Sequence, residues 1–120
     1  MEEAKLINDD SVQMNIEFYE DQKGGRPVQQ FIDELTNRTE LNQIAVHMRE
    51  LKLQGYRLQR PMSAPLRDGI HELRPGPNRI LYAFDQGIAV LLHALRKKTR
   101  ETPGRDIDMA LKHMQEWRLR

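Results

Sequence analysis

LRDGIHELRPGPNRILYAFDQGIAVLLHALRKKTRETPG, residues 66–104, decides how the chain folds. Gly69 to Arg74 carries a short strand pattern. Pro75-Gly76-Pro77-Asn78 cannot extend it, because prolines remove ladder donors and the chain must turn. Arg79 to Asp85 alternates, with Ile80, Tyr82 and Phe84 on one parity. Gln86-Gly87 is a two-residue hairpin signal. Ile88 to Leu95 is almost wholly apolar, the pattern of a central strand covered on both faces. Thr102-Pro103 then reads as the N-cap and first-turn proline of a helix that buries Ile107, Ala110, Leu111, Met114 and Trp117.

Upstream, Met14, Ile16 and Phe18 alternate with Asn15, Glu17 and Tyr19, which predicts a half-buried strand. Lys23-Gly24-Gly25-Arg26 is a turn, and Pro27 opens a helix whose Val28, Phe31, Ile32 and Leu35 share one face. A second helix starts near Thr39, buries Leu41, Ile44, Ala45, Met48 and Leu51, and ends at Gly55. Residues 1–11 are polar, the composition of a partly disordered end. The order strand, helix, helix, three strands, helix predicts a single α+β domain over residues 1–120. Its sheet is small, antiparallel or mixed, of about four strands, with helices packed on one face.

A chain of 120 residues with 38% hydrophobic side chains supplies one modest core. It has no cysteine, which excludes disulfides and thiolate metal sites and fits a reducing cytoplasm. The opening MEEAKLINDD is acidic and lacks the apolar run of a secretory signal. No segment approaches the roughly 20 apolar residues needed to cross a bilayer. The expectation is a cytoplasmic protein with no membrane partner. The net charge of +1 hides an asymmetry: residues 1–60 carry 8 Lys/Arg against 11 Asp/Glu, whereas residues 61–120 carry 11 against 7. The basic half also holds the strands.

Arg67, Arg74 and Arg79 come first in that half, then Arg96, Lys97, Lys98 and Arg100 where the last strand runs out. Strand cores need no such charges, so their cluster suggests a sheet that holds a polyanion, RNA before others. The plainer reading is a solvated surface of mixed charge. Other sites find no support. Gly24-Gly25 lacks a downstream Gly-Lys-Ser/Thr, and His47, His71, His93 and His113 fall at no metal-ligand spacing. Ser11 and Ser63 lie in loop-like sequence. No metal or cofactor is expected.

Parity sets Arg79, Leu81, Ala83 and Asp85 opposite Ile80, Tyr82 and Phe84, which predicts an exposed face carrying Arg79 beside Arg74 and Glu72. Lys97 and Lys98 would reach one end of it. Such a group could neutralise a phosphate and stabilise the charge of phosphoryl transfer, with Glu72 the carboxylate placed to accept a proton. The alternative makes Glu72–Arg74 or Glu72–Arg79 an ordinary cross-strand ion pair, worth under about 1 kcal/mol. Spacing alone leaves both open.

The run LRDGIHELR, then NRILYAF, then LLHALRKKTRETPGRDIDMA resembles the phage-derived, HigB-like branch of the RelE/ParE toxin superfamily. Phe18-Tyr19, Pro27-Val28 with Phe31, and Gly55-Tyr56-Arg57-Leu58 before Pro61 resemble its upstream pieces, so the likeness spans about residues 12–115. The resemblance implies a RelE-like fold and a type II toxin, a metal-independent, ribosome-dependent mRNA endoribonuclease that blocks translation. An antitoxin with a helix-turn-helix domain would neutralise it. Carried over by position, Arg79 is a phosphate and transition-state ligand and Arg74 a backbone contact. Lys98 is the second phosphate-binding cation and Glu72 the base. Arg67, Arg96, Lys97 and Arg100 complete the RNA-binding surface.

Departures exist. Better-studied relatives carry a tyrosine shortly after the basic pair, where this chain reads Thr99-Arg100-Glu101-Thr102-Pro103. Arg100 stands for a usual lysine and Leu95 for a usual phenylalanine. Tyr82 is a substitute phenol, although its parity with Ile80 and Phe84 argues for core. Two rival functions share the fold: a ParE-like toxin that poisons DNA gyrase without cutting RNA, and a nucleic-acid-binding regulator without catalysis.

Overall fold

A computed structural model describes residues 13–120, so the expectation for residues 1–11 lies outside it. The elements are β1 (Asn15–Phe18), α1 (Pro27–Glu34), α2 (Arg38–Gln54) and a 3₁₀ turn (Gly55–Arg57), then β2 (Ser63–Pro65) and β3 (His71–Leu73). After them come β4 (Asn78–Asp85), β5 (Ile88–Arg96) and α3 (Gly104–Arg118). The α+β class and mixed sheet are as expected. The sheet has five strands in the order β1-β5-β4-β3-β2, with β1 parallel to β5 and every other pair antiparallel. The additional strand is β2, whose three residues pair with β3.

Local chemistry explains the turns. Gln86 and Gly87 both take positive φ (50° and 83°), the backbone of a two-residue hairpin matched to strand twist. At the β3–β4 loop Gly76 has φ +57°, and a Cβ there would run into the Gln43 side chain. That tight loop returns the chain so that Arg74 and Arg79 face each other across it. Pro27 opens α1 as expected, and the Asn37 side chain caps α2 by accepting from Glu40 N at 3.0 Å.

One expectation is corrected: helices cover both faces. Leu73, Ile80, Tyr82, Ala89 and Leu91 pack with Val28 of α1 and with Ile44 and Leu51 of α2. Leu81, Ala83, Val90 and Leu92 point the other way, onto Ile107, Ala110 and Met114 of α3. The physical reason is β5. A strand apolar on both parities exposes two apolar surfaces, and each needs a helix. A register shift between Leu81 and Tyr82 leaves Leu92 without a cross-strand partner. Leu92 packs in the α3 core, while its neighbour His93 bonds Asp106 of α3 at 2.7 Å. Ala45, expected inside, is exposed.

α3 is also pinned by polar contacts. Tyr19 is buried, stacks on His113 at 4.2 Å and donates its hydroxyl to Glu116. Burial, then the bond to Glu116, pushes the phenol up to about 12. The folded state therefore holds this proton more tightly than the unfolded chain, whose tyrosine titrates near 10. Stability from this site is whole below pH 10 and is lost as pH rises through about 12. Alkaline unfolding followed by circular dichroism should be steep over that interval, and Tyr19→Phe should flatten it. Among the described residues no helix is long and apolar enough to cross a membrane.

Candidate functional site

The cations meet in a cleft of about 350 Å³ on the α3 side of the sheet. Ala64, Pro65 and Leu66 form one wall. Lys97, Arg100, Glu101 and Thr102, from the loop between β5 and α3, form the other. Glu72 of β3, Arg74 just after it, Ile107 of α3 and the cations Arg60 and Arg67 complete the lining.

Glu72 is the buried charge of this cleft, with 5% of its surface exposed. Thr102 Oγ1 donates to its Oε1 at 2.5 Å, and Arg74 Nε lies 3.8 Å from its Oε2. A carboxylate so enclosed is tolerable because an ion partner and a hydrogen-bond donor replace the lost water. In register Glu72 lies opposite Leu81, two residues along β4 from Arg79, so both charges share the α3 face.

Arg79 corrects the parity argument. It does lie on the parity opposite Ile80 and Tyr82, which belong to the α1/α2 core, but it is only 9% exposed. Its Nη1 donates to Gly76 O and Asn78 O, both at 2.7 Å. Its Nε is buried with no partner among the described residues. Burial pushes the guanidinium below its ordinary range, Glu72 opposes that shift and Arg74 adds to it. An arginine nonetheless stays protonated. It is a buried positive charge whose field reaches Glu72 and Arg74 of the cleft, not a surface side chain.

The remaining candidates divide. Lys97 and Arg100 face the cleft, as does Arg67, which pairs with Asp108 at 2.8 Å and Asp68 at 3.2 Å. Lys98 does not; it lines a separate groove with Leu95, Pro103 and Arg105. Arg96 also borders that groove, and its guanidinium reaches Glu40 of α2 at 2.8 Å. With Asn78 it holds the Glu40 carboxyl below the usual carboxylate range. The physical reason is strand geometry: successive residues leaving β5 point to opposite sides. Sequence reasoning missed Arg60 and the part Thr102 plays. Arg60 precedes Pro61 in a stretch without periodicity, and Thr102 reads as a helix cap.

Tyr82 is core. It is 1% exposed on the α1/α2 side, and its hydroxyl bonds Ser63 Oγ at 2.5 Å. Burial pushes its phenol up, with the Ser63 bond opposing. Tyr82→Phe should therefore cost about 1 kcal/mol in a denaturant melt, the worth of one hydrogen bond, and leave the cleft's chemistry untouched. The histidines have structural partners as well. His47 and His113 bond backbone carbonyls, His71 stacks on Tyr82, and His93 bonds Asp106. Among the described residues, no three His, Asp or Glu side chains are placed to share a metal ion.

Residues 30–115, from α1 through most of α3, match the model of the phage-derived, Gp49-like protein family (DUF891), and the chain belongs to that family. The family lies within the RelE/HigB-like, toxin–antitoxin-related superfamily. The matched stretch contains every residue that lines the cleft. No curated protein matches the chain.

Proposed function

We propose that the chain, one toxin domain over residues 1–120, is the toxin of a type II toxin–antitoxin pair and cleaves mRNA on the ribosome without a metal ion. The observation that carries this reading is the gathering of Arg74, Arg79, Lys97 and Arg100 around one buried carboxylate, Glu72, in a member of this superfamily. A structural ion pair needs two charges. This cleft is lined by five cations, and a sixth, the buried Arg79, acts on its carboxylate.

In the proposed reaction the 2′-hydroxyl of one ribose gives its proton to Glu72, and its oxygen bonds the adjacent phosphorus. The bond from phosphorus to the 5′-oxygen breaks, and that oxygen takes a proton from water. The products are a 2′,3′-cyclic phosphate and a 5′-hydroxyl. Arg74 and Arg79 stabilise the negative charge that builds on the phosphate oxygens. Lys97 and Arg100 hold the neighbouring backbone, while Lys98, Arg67 and Arg96 attract RNA from the flanks. The partners are mRNA on the ribosome and a helix-turn-helix antitoxin, and the compartment is the cytoplasm. Co-expression with the antitoxin should restore growth and yield a co-purifying complex.

Induced expression followed by mapping of mRNA 5′ ends tests the reading. Discrete cleavages within reading frames support it. Loss of DNA supercoiling without cleavage would point to a gyrase poison, and neither effect would leave a non-catalytic regulator.

A further inference from the structure

Thr102 stands where the sequence places a helix cap, yet the N-cap of α3 is Pro103 and no side chain caps that end. The threonine hydroxyl reaches back to β3 instead and donates to Glu72 Oε1 at 2.5 Å. Its acceptor is 5% exposed and has Arg74 on its other oxygen. A residue type that ordinarily serves its own helix is used here on a charge thirty positions away.

We infer that Thr102 is a positioning residue for Glu72: its hydroxyl holds Oε1 and so fixes Oε2, the oxygen 3.8 Å from Arg74 Nε, as the proton acceptor. The inference rests on the nuclease reading above. Freed from Thr102, the carboxylate would turn both oxygens toward the Arg74 and Arg79 guanidiniums. A doubly paired carboxylate takes a substrate proton poorly. The same bond ties the loop bearing Lys97 and Arg100 to the sheet, so the acceptor and the backbone-holding cations keep one spacing. Proton transfer needs the acceptor within hydrogen-bond reach in a fixed orientation, and misplacement by about 1 Å can cost on the order of 10²-fold.

The test compares the full-length parent, Thr102→Ser and Thr102→Val in cleavage of ribosome-bound mRNA, with a thermal melt of each. Valine keeps the shape and removes the hydroxyl, while serine keeps the hydroxyl. Thr102→Val should lose roughly 10–100-fold in kcat with KM changed less than about twofold, the signature of an interaction that acts on the chemical step. Thr102→Ser should stay within about threefold of the parent, the hydroxyl being what matters. All assays run below the melting temperature of the least stable variant. A Thr102→Val protein with parental kcat overturns the inference, as does a loss confined to KM or a serine variant no better than valine. A parent that cleaves no RNA overturns the nuclease reading and this inference with it. A cleaving parent with an unimpaired valine variant overturns this inference alone.

Discussion

Arg79→Ala is expected to abolish cleavage and to lower stability at the same time. The guanidinium donates to two loop carbonyls and lies close enough to Glu72 for each charge to act on the other. Removing it strips both carbonyls of a donor and deprives a buried carboxylate of one of its cations. Gly76 is exposed and its carbonyl can take water, so the cost falls on the buried Asn78 carbonyl and on the lost field at Glu72, and a loss of about 1–3 kcal/mol is expected. In a domain of this size that lowers Tm by roughly 5–15 °C. Catalysis should fall by roughly 10²–10³-fold, the usual effect of removing one preorganised donor to a developing oxyanion. Arg79→Lys separates the two effects. It keeps a charge near Glu72 but loses the planar fork, so it should melt above the alanine variant yet remain impaired in cleavage. Calorimetry and RNA cleavage on the same preparations check both. A destabilised Arg79→Ala protein that still cuts at the parental rate would remove Arg79 from the reaction and leave it a structural arginine.

Glu72→Gln should be the cleaner loss. Glutamine preserves the shape and can still accept from Thr102 through its carbonyl, but it cannot take a proton from a 2′-hydroxyl. General-base catalysis is worth roughly 10²–10⁴-fold, and that is the expected drop in cleavage rate. The amide also turns a donor toward Arg74, where a carboxylate oxygen stood 3.8 Å from Nε. A moderate destabilisation of about 1–3 kcal/mol should therefore accompany the loss. RNA binding measured by filter retention should survive, because Lys97, Arg100 and Arg60 remain.

The strands from Arg79 to Leu95, their hairpin and α1 were legible because alternation and turn chemistry are local properties. The cover of the second face was also written in β5, where Val90 and Leu92 are as apolar as Ala89 and Leu91. What alternation cannot say is which element supplies that cover, and so Arg79 reads as exposed from parity alone. β2 was not legible: three residues ending in proline carry no period. Of the site, Glu72, Arg74 and Lys97 come together as parity and the connecting loop suggested, and Arg67 and Arg100 line the same cleft. Lys98 and Arg96 diverge because adjacent positions at the end of β5 face opposite ways. Arg60 and the Thr102–Glu72 bond are products of tertiary packing, joining segments between which no local rule operates.

The chemistry of the cut ends tests the central claim, that Glu72 accepts a 2′-hydroxyl proton in a metal-free cleavage. mRNA from cells expressing the parent or Glu72→Gln would be mapped separately for 5′-hydroxyl and 5′-phosphate termini. The account predicts discrete 5′-hydroxyl ends with the parent, matched by 2′,3′-cyclic phosphates upstream, and their disappearance with Glu72→Gln. Ends bearing 5′-phosphates, or 5′-hydroxyl ends undiminished in the glutamine variant, would contradict it.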